Sequence, residues 1–159
     1  MIRRTIDLPA AKVLVEVRRG FLYVREKGRL RDEEDVARYA RVMERLFREC
    51  GVRRALIDAR EEDRGDRSDP AATAAMWRWL RSDRSFSRVA FVLSDEMAVA
   101  RVNMTALSDK LALKAFGASD PGAVQRAQRW LMRDEKGRSL YPPTVASEPP
   151  PPDDPTSGR

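Results

Sequence analysis

Apolar residues recur at helical spacing in four stretches of the chain, and shorter apolar runs of strand length separate them. Val13-Leu14-Val15-Glu16-Val17 alternates as a half-buried strand does. Arg18-Arg19-Gly20 can turn it, and Phe21-Leu22-Tyr23-Val24 answers it, so the pair predicts a hairpin. Asp32 is a good helix N-cap, with Glu33, Glu34 and Asp35 in the first turn, where acids suit the dipole. Val36, Tyr39, Ala40, Met43, Leu46, Phe47 and Cys50 fall on one face, and Gly51 is placed to end the helix.

The next stretch organises the chain. Arg53 to Ala59 is an apolar run broken by Asp58, then a charged loop, then a helix start at Asp69-Pro70. That is the βα unit of an open α/β sheet. Proline suits the first helical position, where its missing N–H costs nothing. Ala72, Thr73, Met76, Trp77, Trp79 and Leu80 make one broad face. Arg88-Val89-Ala90-Phe91-Val92-Leu93 is apolar on both faces and reads as a central strand. Ser94 or Asp95 opens a third helix, with Met97, Ala100, Met104 and Leu107 expected inward. That assignment leaves Val99, Val102 and Ala106 as a second, outward apolar stripe. Leu111 to Phe116 is a shorter strand, and Asp120-Pro121 repeats the cap-plus-proline device. Val124, Ala127, Gln128, Trp130 and Leu131 form the fourth helical face.

The order β-β-α-β-α-β-α-β-α predicts a single-domain α/β fold with a mixed sheet, an N-terminal hairpin followed by parallel βα units. Residues 1–10 read as a lead-in and 11–141 as the domain. Residues 142–159 hold seven of the ten prolines and read as a disordered tail.

The chain resembles the STAS domains, and within them the SpoIIAA-like branch of short bacterial proteins. The resemblance rests on Val24 followed by Gly28-Arg29-Leu30 and Asp35, and on Leu56-Ile57-Asp58. It rests also on Phe116 followed by Ala127, Trp130 and Leu131, and covers residues 11–134. It implies a STAS-like arrangement with all four helices stacked on one side of the sheet. It also implies a mostly non-catalytic role in binding partner proteins, with nucleotides or lipids bound by some members. The best-known members are phosphorylated on a serine at the start of the helix after the Asp-ending strand. Ser68 stands near that place, but in Arg67-Ser68-Asp69-Pro70 rather than the family's Asp-Ser-Ser-Gly type of run. A phosphate there would gain from the helix N-terminus and lose to Asp69. Helix capping alone already explains the serine.

Composition narrows the chemistry. The chain contains no histidine and one cysteine, Cys50. Ser-His and Cys-His dyads and the commonest zinc ligand are thereby excluded, as is an intramolecular disulfide. The expectation is a protein without enzymatic activity, cofactor or metal, located by default in the cytoplasm. No apolar run reaches a membrane span. The net charge of +6 invites a nucleic-acid reading, but 26 of the 31 basic residues are Arg, a skew that a GC-rich genome also produces.

The candidate sites follow. Asp58, Ser68 and Asp69 form a candidate regulatory or ligand site at the carboxyl end of a strand, where open α/β sheets bind ligands. The loop acids could hold Mg²⁺, but Arg60, Arg64 and Arg67 neutralise them. Arg38, Arg41, Arg45 and Arg48 form a stripe that could meet phosphates. Glu34, Glu44 and Glu49 stand four residues from three of them, so i,i+4 ion pairs compete for the stripe. Trp77, Trp79 and Trp130 could line an apolar ligand site, although core packing explains them as well. With Val99 and Val102 they form the candidate apolar surface. An open sheet face together with that stripe predicts a homodimer or a protein partner, the alternative being that a helix or the tail of the same chain covers them. The leading reading is a regulatory or protein-interaction module. A small apolar ligand or lipid carrier is the first alternative, and weak nucleic-acid binding through the Arg stripe the second.

Overall fold

The computed structural model describes residues 2–62, 70–82, 85–134 and 136–141. The tail from Pro142, and with it Ser68 and Asp69, lie outside the described residues.

Six strands form one mixed sheet in sequential order: β1 (Arg3–Leu8), β2 (Ala11–Arg18), β3 (Phe21–Gly28), β4 (Arg54–Glu62), β5 (Arg88–Leu93) and β6 (Leu113–Gly117). β1, β2 and β3 are antiparallel neighbours, and β3 to β6 are parallel. The predicted hairpin is β2–β3, with Val15 opposite Val24. Residues 1–10, read from the sequence as a lead-in, instead hold β1. Only Ile6 and Leu8 of that strand are buried, too short an alternation to stand out beside Arg3-Arg4-Thr5. Gly28 closes β3 with a φ of +89°, and a side chain there would collide with the Ala10 carbonyl.

Helices α1 (Glu33–Cys50), α2 (Pro70–Ser82) and α3 (Glu96–Ser108) connect the parallel strands in turn, and α4 (Ala123–Leu131) follows β6. The Asp32 side chain accepts from the Asp35 N–H, and Gly51 takes the left-handed conformation, so both ends of α1 are capped as its sequence predicts. α2 begins at Pro70. α4 does not use Asp120 as its N-cap. Gly122 takes that place, and Asp120 accepts from the Gly122 N–H at 2.9 Å.

The arrangement of layers corrects one expectation. The four helices do not share one side. Leu22, Val24, Ala55, Ile57 and Val89 pack with Tyr39, Met43 and Phe47 of α1 and with Trp79 and Leu80 of α2. Ala59, Leu93 and Ala115 lie against Ala98, Val99 and Val102 of α3. Phe21, Tyr23, Leu56, Ala90 and Val92 point the other way and are covered by Ala123, Ala127 and Leu131 of α4. Three successive right-handed crossovers in one direction place α1, α2 and α3 on one face. α4 links no further strand and is free to cover the opposite face.

α3 is also rotated relative to the sequence expectation. Met97, Met104 and Leu107 are 72, 71 and 82% exposed, and Ala106 is buried. Val99 and Val102 therefore belong to the core side, and the outward stripe is Met97, Ala100, Met104 and Leu107. Asn103 fixes this rotation. Its amide donates to the Ala115 carbonyl at 3.1 Å and accepts from the Ala115 N–H at 2.8 Å. The side chain thus occupies hydrogen-bonding groups on the outer edge of β6 that another strand would otherwise seek. Two apolar stripes were available, and the larger side chains look like the core set. The hydrogen-bonding demand of the sheet edge selects the smaller one.

This orientation predicts an asymmetry between neighbouring residues. Val102→Gln should lower unfolding stability by about 2 kcal/mol, because a polar amide would enter the core without partners. Met104→Gln should change it by less than about 0.5 kcal/mol. Urea unfolding of both variants measures the difference, and equal effects would show that the rotation of α3 is wrong.

Candidate functional site

Asp58 and Asp35 are the buried carboxylates among the described residues, at 5% and 2% exposure. Asp35 is absorbed by local structure, accepting from the Arg31 N–H at 3.0 Å and the Arg31 Nε at 3.2 Å. Asp58 is the more informative. β4 places it two residues beyond Leu56, on the face that α4 covers, but past the helix and toward the carboxyl ends of the parallel strands.

Its partners come from two strands. The Tyr23 hydroxyl of β3 donates to Oδ2 at 2.9 Å. Arg60, two residues on along β4 and hence on the same face, donates from Nε to Oδ1 at 2.8 Å and from Nη2 to Oδ2 at 2.6 Å. The Arg60 backbone N–H adds a longer contact to Oδ1 at 3.3 Å. This is a bidentate guanidinium–carboxylate pair with a phenol beside it. The Arg18 guanidinium lies over the Tyr23 ring, 3.9 Å from its centroid.

Burial opposes ionisation of Asp58. The hydrogen bonds from Arg60 and Tyr23 outweigh it, and the carboxyl sits below its ordinary range. Burial, and then the bond to Asp58, push the Tyr23 hydroxyl up. Asp58 is therefore a carboxylate and Tyr23 a neutral phenol across the physiological range. Both carboxylate oxygens are engaged, so the group holds strands together rather than standing ready as a base.

A cleft of about 280 Å³ opens beside this cluster, lined by Arg25, Glu26, Asp58, Arg60 and Glu61. Arg25 reaches Glu61 at 3.5 Å. The register of β3 against β4 shifts between Arg25 and Lys27, and Glu26 sits at that irregularity. It faces the buried Tyr39, whose hydroxyl is pushed well above the phenol range by burial and by Glu26. No group of three or more His, Cys, Asp or Glu arranged to hold a metal occurs among the described residues.

The other sequence candidates do not converge. Ser68 and Asp69 lie outside the described residues. Arg38, Arg41, Arg45 and Arg48 are all exposed on α1. The expected i,i+4 pairs along them do not form. Glu44 accepts from the Trp79 indole at 3.2 Å, and Arg38 reaches the Asp7 carbonyl at 3.4 Å. Trp79 is buried, and Trp77 packs on the same core. Trp130 lies across the sheet against Phe116, with ring centroids 6.3 Å apart, so the three tryptophans share no pocket. Cys50 is half-buried at the end of α1. Sequence reasoning missed Tyr23 as a partner of Asp58, and it read Arg60 only as a neutraliser of loop acids. The Arg60 contact follows from strand alternation and could have been found. The Tyr23 contact needs the register of β3 on β4, which sequence does not carry.

The lowered pKa fixes a pH dependence. A carboxyl whose folded pKa lies below its unfolded value, about 3.9, contributes stability that is present above that value. The contribution is lost as pH falls through the folded pKa. Asp58→Asn should cost about 1–3 kcal/mol at pH 7, and the gap to the wild type should shrink as pH falls below about 4. Urea unfolding of both proteins from pH 7 to pH 2.5 measures it, and a gap that widens in acid would contradict the assigned ion pair.

No family model and no curated protein matches this sequence. Among solved structures, it is similar to an uncharacterized protein of the DUF3478 family, with a SpoIIAA-like fold, from Shewanella loihica PV-4. The identity is 22%, the TM-score is 0.51, and the match covers 80% of this chain and 98% of that one. The sequential mixed sheet with its N-terminal antiparallel strands and parallel βα units is accordingly a SpoIIAA-like α/β fold.

Proposed function

We propose that this chain is a non-enzymatic regulatory or protein-interaction module that self-associates through the outer stripe of α3. The observation that carries the reading is the exposure of Met97, Met104 and Leu107 on a folded helix. With Ala100 they recur at spacings of three, four and three residues. That is the a/d seam by which one helix receives another. The seam itself bears no charge, so a second copy of it meets no repulsion, and Ala100 lets two helices approach closely. In a chain where 35% of residues are charged, such a stripe is seldom left to water.

Two further observations support the reading. The fold is SpoIIAA-like. The buried carboxylate at the carboxyl ends of the strands has both oxygens engaged by Tyr23 and Arg60, which is poor preparation for catalysis. The sheet face expected to drive assembly is largely closed by α4, so the helix stripe alone now supports self-association.

Sedimentation at tens of micromolar tests this. The wild type should sediment as a dimer, and Met104→Glu with Leu107→Glu should be a folded monomer with unchanged circular dichroism. A wild-type monomer, or a dimer that the double substitution leaves intact, would remove the α3 seam from the account.

A further inference from the structure

Arg38, Arg41, Arg45 and Arg48 recur along α1 at intervals of three, four and three residues, so they form one row on the side away from the core. By helix geometry the row is about 15 Å long. All four side chains are exposed. Several other arginines are met by acids, as Arg31 is by Asp35, Arg78 by Glu33 and Arg81 by Asp109. The row is not. Arg38 gives one donor to the Asp7 carbonyl at 3.4 Å. The side chains of Arg41, Arg45 and Arg48 form no hydrogen bond or ion pair among the described residues. Glu44, within the row's length, is turned to the Trp79 indole, and Glu34 and Glu49 lie beyond its two ends. Like charges at these spacings work against the helix. Burial of the opposite face holds it in spite of them.

What surrounds the row selects its partner. Protein interfaces centre on a buried apolar core, and the exposed residues of α1 include one apolar side chain, Ala37. A helix that lies in a membrane surface needs its apolar face for the lipid, and that of α1 is packed on the sheet. Single-stranded nucleic acid is held by stacking on aromatic rings, and Tyr39 and Phe47 of α1 are buried. A duplex needs cations in a row. It carries a phosphate charge about every 1.7 Å of its axis, so a straight line of arginines meets charge along its whole length. Guanidinium forks also match the spacing of phosphate oxygens.

We propose that the outward face of α1 binds the phosphate backbone of a nucleic-acid duplex through Arg38, Arg41, Arg45 and Arg48. Contacts to phosphate carry no sequence information, so binding is indifferent to sequence. The surface is separate from the α3 seam and does not rest on self-association.

The test follows the fluorescence anisotropy of a short labelled DNA duplex, and of an RNA duplex of the same sequence, with the full chain over a range of potassium chloride concentrations. Four phosphate contacts on DNA give a log–log slope of about −3.6, so a roughly fourfold rise in salt should weaken binding about a hundredfold. Arg41→Gln with Arg45→Gln should bring the slope to about −1.8 and weaken binding at low salt by about tenfold or more. Should that pair fail to fold by circular dichroism, Arg45→Gln alone is expected to lower the slope by about 0.9. Arg126→Gln with Arg138→Gln removes the same charge from arginines that already face Asp120 and Asp134, and should leave the slope unchanged. That control separates the row from the net charge of +6. Equal binding of the two duplexes supports recognition of phosphate alone, and tighter binding of one identifies the form taken. The proposal is overturned by a duplex that stays unbound at low salt, by a control pair that weakens binding as much as the α1 pair, or by capture on phosphatidylserine vesicles without capture of duplex.

Discussion

The structure depends on one constraint: β4 and β5 are apolar on both faces. Ala55, Ile57 and Val89 must be covered on one side and Leu56, Ala90 and Val92 on the other. Crossover helices can satisfy only the first demand, because their handedness keeps them together. The second falls to α4, the one helix not required to return the chain to the sheet. Its short length suffices because Ala123, Ala127 and Leu131, spaced four apart, present a single narrow ridge to β4, β5 and β6. Fully burying a side chain such as Leu131 contributes about 1.5–3 kcal/mol.

Coverage by α4 also sorts the polar chemistry. Where α4 lies on the sheet, the face is apolar. Beyond it, toward the carboxyl ends of β3 and β4, the same face carries Tyr23, Asp58 and Arg60, which satisfy one another. At the other end, the carbonyls at the end of α4 accept from Arg88, and the neighbouring Arg54 Nε is left without an acceptor. One end of the face is electrostatically closed, and the other retains a cation with an unmet hydrogen bond. The exposed apolar surface is elsewhere again, on the outside of α3.

Much of this was legible in the sequence. Helix α1 was, down to Asp32 and Gly51, because caps and a strongly one-sided apolar pattern are local signals. So was the sequence of elements from β2 to α4, and the two-sided character of β5. What was not legible is what depends on partners distant in the chain. β1 offers two inward residues and owes its existence to pairing with β2. The rotation of α3 is decided by the bond between Asn103 and Ala115, twelve residues apart across a helix and a strand. Pairing of Tyr23 with Asp58 needs the parallel register of β3 and β4. At Asp58 the sequence marked the right residue and misjudged its situation, since a strand-end acid gives no sign of whether it is free or already held.

The central claim is that α4 and the two-faced strands form one cooperative unit. Native-state hydrogen exchange tests this most directly. The amides of Leu56, Val92 and Leu131 should exchange with a common opening free energy equal to that of global unfolding, and with the same denaturant dependence. Exchange of Leu131 through a smaller opening, with Leu56 and Val92 still protected, would show that α4 is an accessory to the sheet rather than its second wall.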